Sequence, residues 1–118
     1  MAPPDTSGLA DGTAIVEVNV PGVLSPQARM GERAFNAECA ACHGANAAGN
    51  EGQGPPLVHR IYEPGHHSDM AFVLAAKNGV RAHHWRYGNM PPVSGVTDAD
   101  VKAITAYVRA LQKENGIF

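Results

Sequence analysis

The two cysteines of this 118-residue chain, Cys39 and Cys42, stand close together, and His43 follows the second directly in the stretch "ECAACHG". If a helix continues through them, Cys39 and Cys42 are i and i+3 and Cys39 and His43 are i and i+4, so all three project from one side. Four chemistries compete for such a cluster. A dithiol–disulfide pair uses the cysteines and gives the histidine no role. A zinc site needs a fourth ligand, normally from a second closely spaced pair, and the sequence has none. Two neighbouring structural cysteines would leave His43 a coincidence. Covalent haem uses all three groups: each thiol adds across one vinyl, and the histidine reaches the iron from below.

The haem reading makes a further demand, a second axial ligand. Met30 shares a helix with the cysteines and cannot easily reach the opposite haem face. Met70 falls in the first turn of a helix whose apolar positions account for it as core. Met90 differs, because it sits in "GNMPP", where Pro91 and Pro92 stiffen the backbone and Gly88 lets the chain turn closely. A flexible thioether on a stiffened loop suits a weak ligand. The loop histidines His59, His66, His67, His83 and His84 read as surface side chains, with His59 a candidate for the haem edge. Trp85 and Arg60 are the leading candidates to hold the propionates, with Arg86 and Tyr87 behind them, since carboxylates in a pocket want charged or polar donors.

These residues need elements to position them. "AIVEVNV" at 14–20 alternates Val16, Val18 and Val20 as a strand would, but it has no partner strand and is expected to lie along the domain surface after a disordered start over 1–13. From Ser25 as cap and Pro26 at the first turn, one helix is expected to run directly into the Cys pair, with Gly31 and Phe35 on one face. Residues 44–67 are rich in glycine and proline and read as a winding loop. A second long helix is expected from the cap Ser68 to the stop Gly79. The last runs from Thr97, spaced from Asp100 as in a capping box, and ends before Gly116. Its stripe of Val101, Ile104, Val108 and Leu111 needs a surface, and the Gly31/Phe35 face is the obvious one.

Composition sets the outer limits. The chain has room for one ordinary core, and with 6% aromatics, 13 glycines and 9 prolines that core is expected to borrow bulk from something other than side chains. A net charge of -2 gives no reason to expect nucleic acid as a partner. The charge is uneven: residues 57–90 carry Arg60, Lys77, Arg81 and Arg86 against Glu63 and Asp69, whereas the first 38 residues are acidic. No apolar run approaches the roughly 18 residues of a membrane span. The start "MAPPDTSG" reads as the flexible beginning of a mature or excised segment, so an export signal or anchor upstream is compatible with the sequence.

Taken in order, "GERAFNAECAACHG", "GPPL" at 54–57, "YGNMPP" at 87–92 and a final helix carrying Tyr107 resemble the class I c-type cytochromes, in particular bacterial monohaem domains, over residues 26–113. The resemblance implies an all-α cytochrome c fold of three to five helices and loops around one covalent haem c, with residues 25–118 as the haem domain and 1–24 as an extended or flexible lead-in. It implies that Cys39 and Cys42 form the thioethers, that His43 and Met90 are the axial ligands, and that the Pro55 carbonyl accepts a hydrogen bond from the other ring nitrogen of His43. It further implies that the first and last helices cross at Gly31, Phe35 and Tyr107.

The function expected from this resemblance is single-electron transfer in the periplasm, by a free monomeric carrier or a module of a larger oxidoreductase. Redox proteins such as an oxidase, a dehydrogenase or another cytochrome would be its partners, with no catalytic residues and no membrane contact by these residues. A haem-based gas sensor or small haem enzyme with a labile distal ligand is the rival reading.

Overall fold

A computed structural model of the chain describes residues 8–81 and 89–118. Helix α1 (Pro26–Glu38) starts where the sequence places it: the Ser25 side chain accepts from the Ala28 N–H at 3.1 Å, and Pro26 occupies a position that needs no donor. Helix α2 (Ala40–His43) follows, then single 3-10 turns at Ala45–Ala47 and Arg60–Tyr62, α3 (Asp69–Asn78) and α4 (Asp98–Glu114). Among the described residues there is no strand, only isolated bridges such as Val80 with Met90. The fold is all-α.

Helix α4 is bounded by a full capping box: Asp100 N–H donates to Thr97 Oγ1 at 3.1 Å, and Thr97 N–H to the Asp100 carboxylate at 3.0 Å. It buries Val101, Ile104, Val108 and Leu111, and also Ala103, Thr105, Tyr107 and Gln112, a wider face than the stripe alone. Helix α1 lays Ala28, Gly31 and Phe35 across this face. A Cβ on Gly31 would meet the Ala103 carbonyl oxygen at 1.8 Å, so only glycine allows this approach. One turn on, the rings of Phe35 and Tyr107 pack at 5.6 Å, tilted by 56°. Burying each such side chain contributes about 1.5–3 kcal/mol, so this crossing is a substantial store of stability.

Four expectations change on contact with the structure. The first helix does not run unbroken into the Cys pair: Cys39, at φ -118°, ends α1 and begins α2. The His43 N–H still bonds the Cys39 carbonyl at 2.9 Å, so the one-turn spacing survives the break. Residues 14–20 form no strand, because Ile15 and Val16 both donate to the same acceptor, the Ala48 carbonyl, and consecutive strand residues point their N–H groups to opposite sides. The described part of 1–13 is tied down as well, since Gly12 N–H bonds the Glu51 carbonyl at 2.8 Å. Met70 is 55% exposed rather than core, and Val73 is the buried residue of α3. That helix is apolar nearly all round, so its pattern does not select the face that meets α4.

Two polar side chains on α4 fasten the winding loop. Gln112, fully buried, donates from Nε2 to the carbonyls of Leu57 and Tyr62, each at 3.0 Å. Arg109 donates to the carbonyls of Tyr62 and His67, to Gln112 Oε1 and to the Asp69 carboxylate, and lies over the Phe72 ring at 4.9 Å. The Asp69 carboxylate is mostly in water, so that ion pair adds little, and the carbonyl bonds fix the loop. Among the described residues no helix is long and apolar enough to cross a membrane.

Candidate functional site

The end of α1, the turn of α2, the 55–62 stretch, α3 and the start of α4 surround a cavity of about 420 Å³. Its walls are mostly apolar, with Phe35, Leu57, Phe72, Val101 and Ile104 among them, and its size is that of a cofactor site. Cys39, His43, Pro55 and Met90 all line it. Residues 51 positions apart in the chain, Cys39 and Met90, therefore share one pocket.

His43 is held by its backbone and by its ring. Nδ1 lies 2.8 Å from the Pro55 carbonyl oxygen, so it carries the proton and donates, which leaves Nε2 as the nitrogen open to a metal. Burial pushes the His43 pKa below its usual value, and the bond to Pro55 opposes that in part. A ring kept neutral is the form that ligates iron. The neighbouring Gly54 has no room for a side chain, since a Cβ there would meet the Cys42 carbonyl oxygen at 2.5 Å. The "GPP" stretch is thus packed hard against the Cys turn.

The two cysteines are unequal. Cys39 is half-buried, and burial, then the Glu38 carboxylate and Cys42, push its pKa up to about 11. Cys42 is exposed. A half-buried position of this kind suits an uncharged sulfur. Addition to a vinyl group leaves an uncharged thioether, which this site accommodates.

Met90 is fixed by exchange of both backbone hydrogen bonds with Val80, at 2.7 and 2.8 Å. Gly79 makes the approach possible, since a Cβ there would lie 2.4 Å from the Met90 carbonyl oxygen. Val93 N–H closes the stretch onto the end of α3 through the Ala76 carbonyl at 2.7 Å. The expectation of a stiff methionine loop thus rests on this bridge as well as on Pro91 and Pro92.

The remaining expectations divide. Arg60 is exposed and does not line the cavity, and nor does His59, whose Nδ1 instead accepts from the Ile61 N–H at 3.0 Å. His66 pairs with Glu63 at 2.6 Å on the surface. Trp85, Arg86, Tyr87, Gly88, His83 and His84 lie outside the described residues. Arg81 and His67, neither singled out by sequence reasoning for the site, do line the cavity. The His67 ring packs against Tyr62 with centroids 4.9 Å apart, tilted by 44°, and donates to the Ile61 carbonyl through Nδ1. The basic balance of 57–90 was the signal for Arg81; nothing local distinguishes His67 from His66.

Comparison with known proteins supplies independent findings. The family model described as "Cytochrome c" matches residues 28–112. The chain is 37% identical, over 90 residues, to the cbb3-type cytochrome c oxidase subunit CcoP of Rubrivivax gelatinosus, an alignment covering 73% of this chain and 27% of that protein. It is similar to the crystal structure of cytochrome CL from the marine methylotrophic bacterium Methylophaga aminisulfidivorans, with 28% identity and a TM-score of 0.55, over 71% of this chain and 54% of the other. The chain thus spans about a quarter of the length of the first relative and about half of the second.

Proposed function

The chain belongs to the cytochrome c family and binds a covalent c-type haem, and from that premise we propose that it is a single-electron carrier with His/Met axial ligation. When bound, the haem supplies an iron that alternates between Fe(II) and Fe(III). Cys39 and Cys42 would anchor it through thioethers, His43 would offer Nε2 from the α2 turn, and Met90 would offer its sulfur from the Val80 bridge. The observation that carries this reading is the shared cavity: Cys39, His43 and Met90 line one apolar pocket, with Pro55 orienting the imidazole.

The chain's own residues do the tuning. Phe35, Leu57, Val101 and Ile104 exclude water, which favours the less charged iron state, and a thioether ligand acts in the same direction. Arg81 is the better placed cation for the propionates, since it lines the cavity and Arg60 does not. In this reading no substrate is transformed and no residue is catalytic. The likeness to an oxidase subunit supports a periplasmic module that passes electrons to or from a redox protein, free or as part of a longer chain.

The alkaline pyridine spectrum is expected to show thioether-linked haem, and the ferric protein a weak far-red band from sulfur ligation. Met90→Ala is expected to abolish that band and to open the reduced iron to carbon monoxide. If the band persists in Met90→Ala, the ligand assignment is wrong; rapid carbon monoxide binding by the unaltered protein favours a sensor or enzyme instead.

A further inference from the structure

Residues 12–16 precede the segment matched to the family, 28–112, yet they are fastened to the loop that follows His43. Ile15 and Val16 donate to the Ala48 carbonyl at 3.0 and 3.1 Å, and Glu51 N–H bonds the Thr13 carbonyl at 2.9 Å. A Cβ on Gly49 would lie 2.9 Å from Ile15 Cδ1 and 2.9 Å from Pro56 N, so the Ile15 side chain closes over the backbone at this point. Further along, Asn19 exchanges two hydrogen bonds with the Asn115 side chain, both 2.8 Å.

The loop under this segment needs outside support. Asn46 and Ala47 hold φ of 57° and 56°, a region that side chains other than glycine seldom occupy and that persists only where the surroundings enforce it. The same loop delivers Pro55 to His43. Gly49 N–H bonds the His43 carbonyl at 2.7 Å, Asn50 N–H bonds the Gly54 carbonyl at 3.0 Å, and the next residue, Pro55, faces His43 Nδ1. Movement at Ala48 or Gly49 is therefore passed to the imidazole through a short run of bonds.

We propose that residues 12–19 are a brace for the proximal side of the site, with Ile15 and Val16 as positioning residues that hold the Pro55 carbonyl against His43. The inference rests on the reading of His43 as an axial ligand. A firm Nδ1–H···O=C bond makes the imidazole a stronger donor and favours Fe(III). Loosening the brace weakens that bond and raises the reduction potential.

The test uses the haem-loaded protein with Ile15→Ala and Val16→Pro, the latter removing one donor to Ala48. The readouts are exchange of the His43 Nδ1 proton with deuterium, followed by NMR, and the midpoint potential. Exchange is expected to quicken about tenfold, the effect of losing one hydrogen bond's net contribution, with the potential moving up. Val23→Ala, in the same segment at a side chain 82% exposed, is expected to change neither. If both substitutions lower thermal stability while exchange and potential keep their original values, the segment is surface packing alone and the inference fails. Should Val16→Pro not retain haem, Asn115→Ala frees the far end of the brace without touching the loop, and it must shift both readouts in the same direction. Absence of a ligated-imidazole Nδ1 signal in the unaltered protein overturns the ligand assignment, and this inference with it.

Discussion

Gly31 and Ala103 meet backbone to backbone: a Cβ on Gly31 would sit 1.8 Å from the Ala103 carbonyl oxygen and 2.8 Å from the Ile104 nitrogen. The neighbouring atoms are main chain in the middle of α4, so they cannot step aside as a flexible side chain would. This contact sets how closely α1 and α4 approach, and hence how the Phe35 wall stands beside Cys39 and His43.

Replacing Gly31 by alanine tests that contact. In an exposed helix the change would gain roughly 1 kcal/mol from helix propensity. Here the clash forces the helices apart and costs about 3 kcal/mol, so the net effect is destabilising. Denaturant unfolding of the haem-loaded Gly31→Ala protein is expected to show a lower midpoint with an unchanged slope. A variant as stable as the original would mean that the helices can separate freely.

Gln112→Leu keeps the volume of a fully buried side chain and removes the donor shared by the Leu57 and Tyr62 carbonyls. The expected loss is about 1–3 kcal/mol, because the Leu57 carbonyl stays buried with its donor gone, whereas the Tyr62 carbonyl keeps its bond from Arg109. Hydrogen exchange should show the loss of protection concentrated at residues 57–62, with the α1–α4 crossing less affected.

Burial, followed by the nearby Glu32 carboxylate, pushes the Tyr107 phenol from 10.0 up to about 12. Its folded pKa lies above its unfolded one, so the stability tied to the protonated phenol is fully present below pH 10 and is lost as pH rises to about 12. Tyr107→Phe cannot ionise there. The difference in unfolding free energy between the two proteins should be flat below pH 10 and should shift in favour of the variant across that window; a difference flat throughout would contradict the burial argument.

How much of this was legible in the sequence follows from how local each feature is. The Ser25 and Thr97 caps, the Gly79 stop and the Cys39–Cys42–His43 cluster each depend on residues within about one helical turn, so their spacing specifies them. Ser68 shows the limit even there, since it occupies the cap position of α3 while its side chain makes no capping bond. Met70 was misread for a related reason: a helix apolar on most sides does not record which side its neighbour will cover.

The sequence by itself determined the chemistry of this protein, two thiols and an imidazole held within a turn, a methionine between glycine and prolines, and helices to carry them. Only the tertiary structure decided what surrounds that chemistry: Arg81 and His67 in the cavity wall, Arg109 and Gln112 on the loop carbonyls, and Ile15 and Val16 on Ala48. The reason is physical. Side-chain spacing along a helix leaves a periodic trace, whereas every residue offers the same carbonyl acceptor. A donor that reaches across the fold to one of them leaves no mark at either place in the chain.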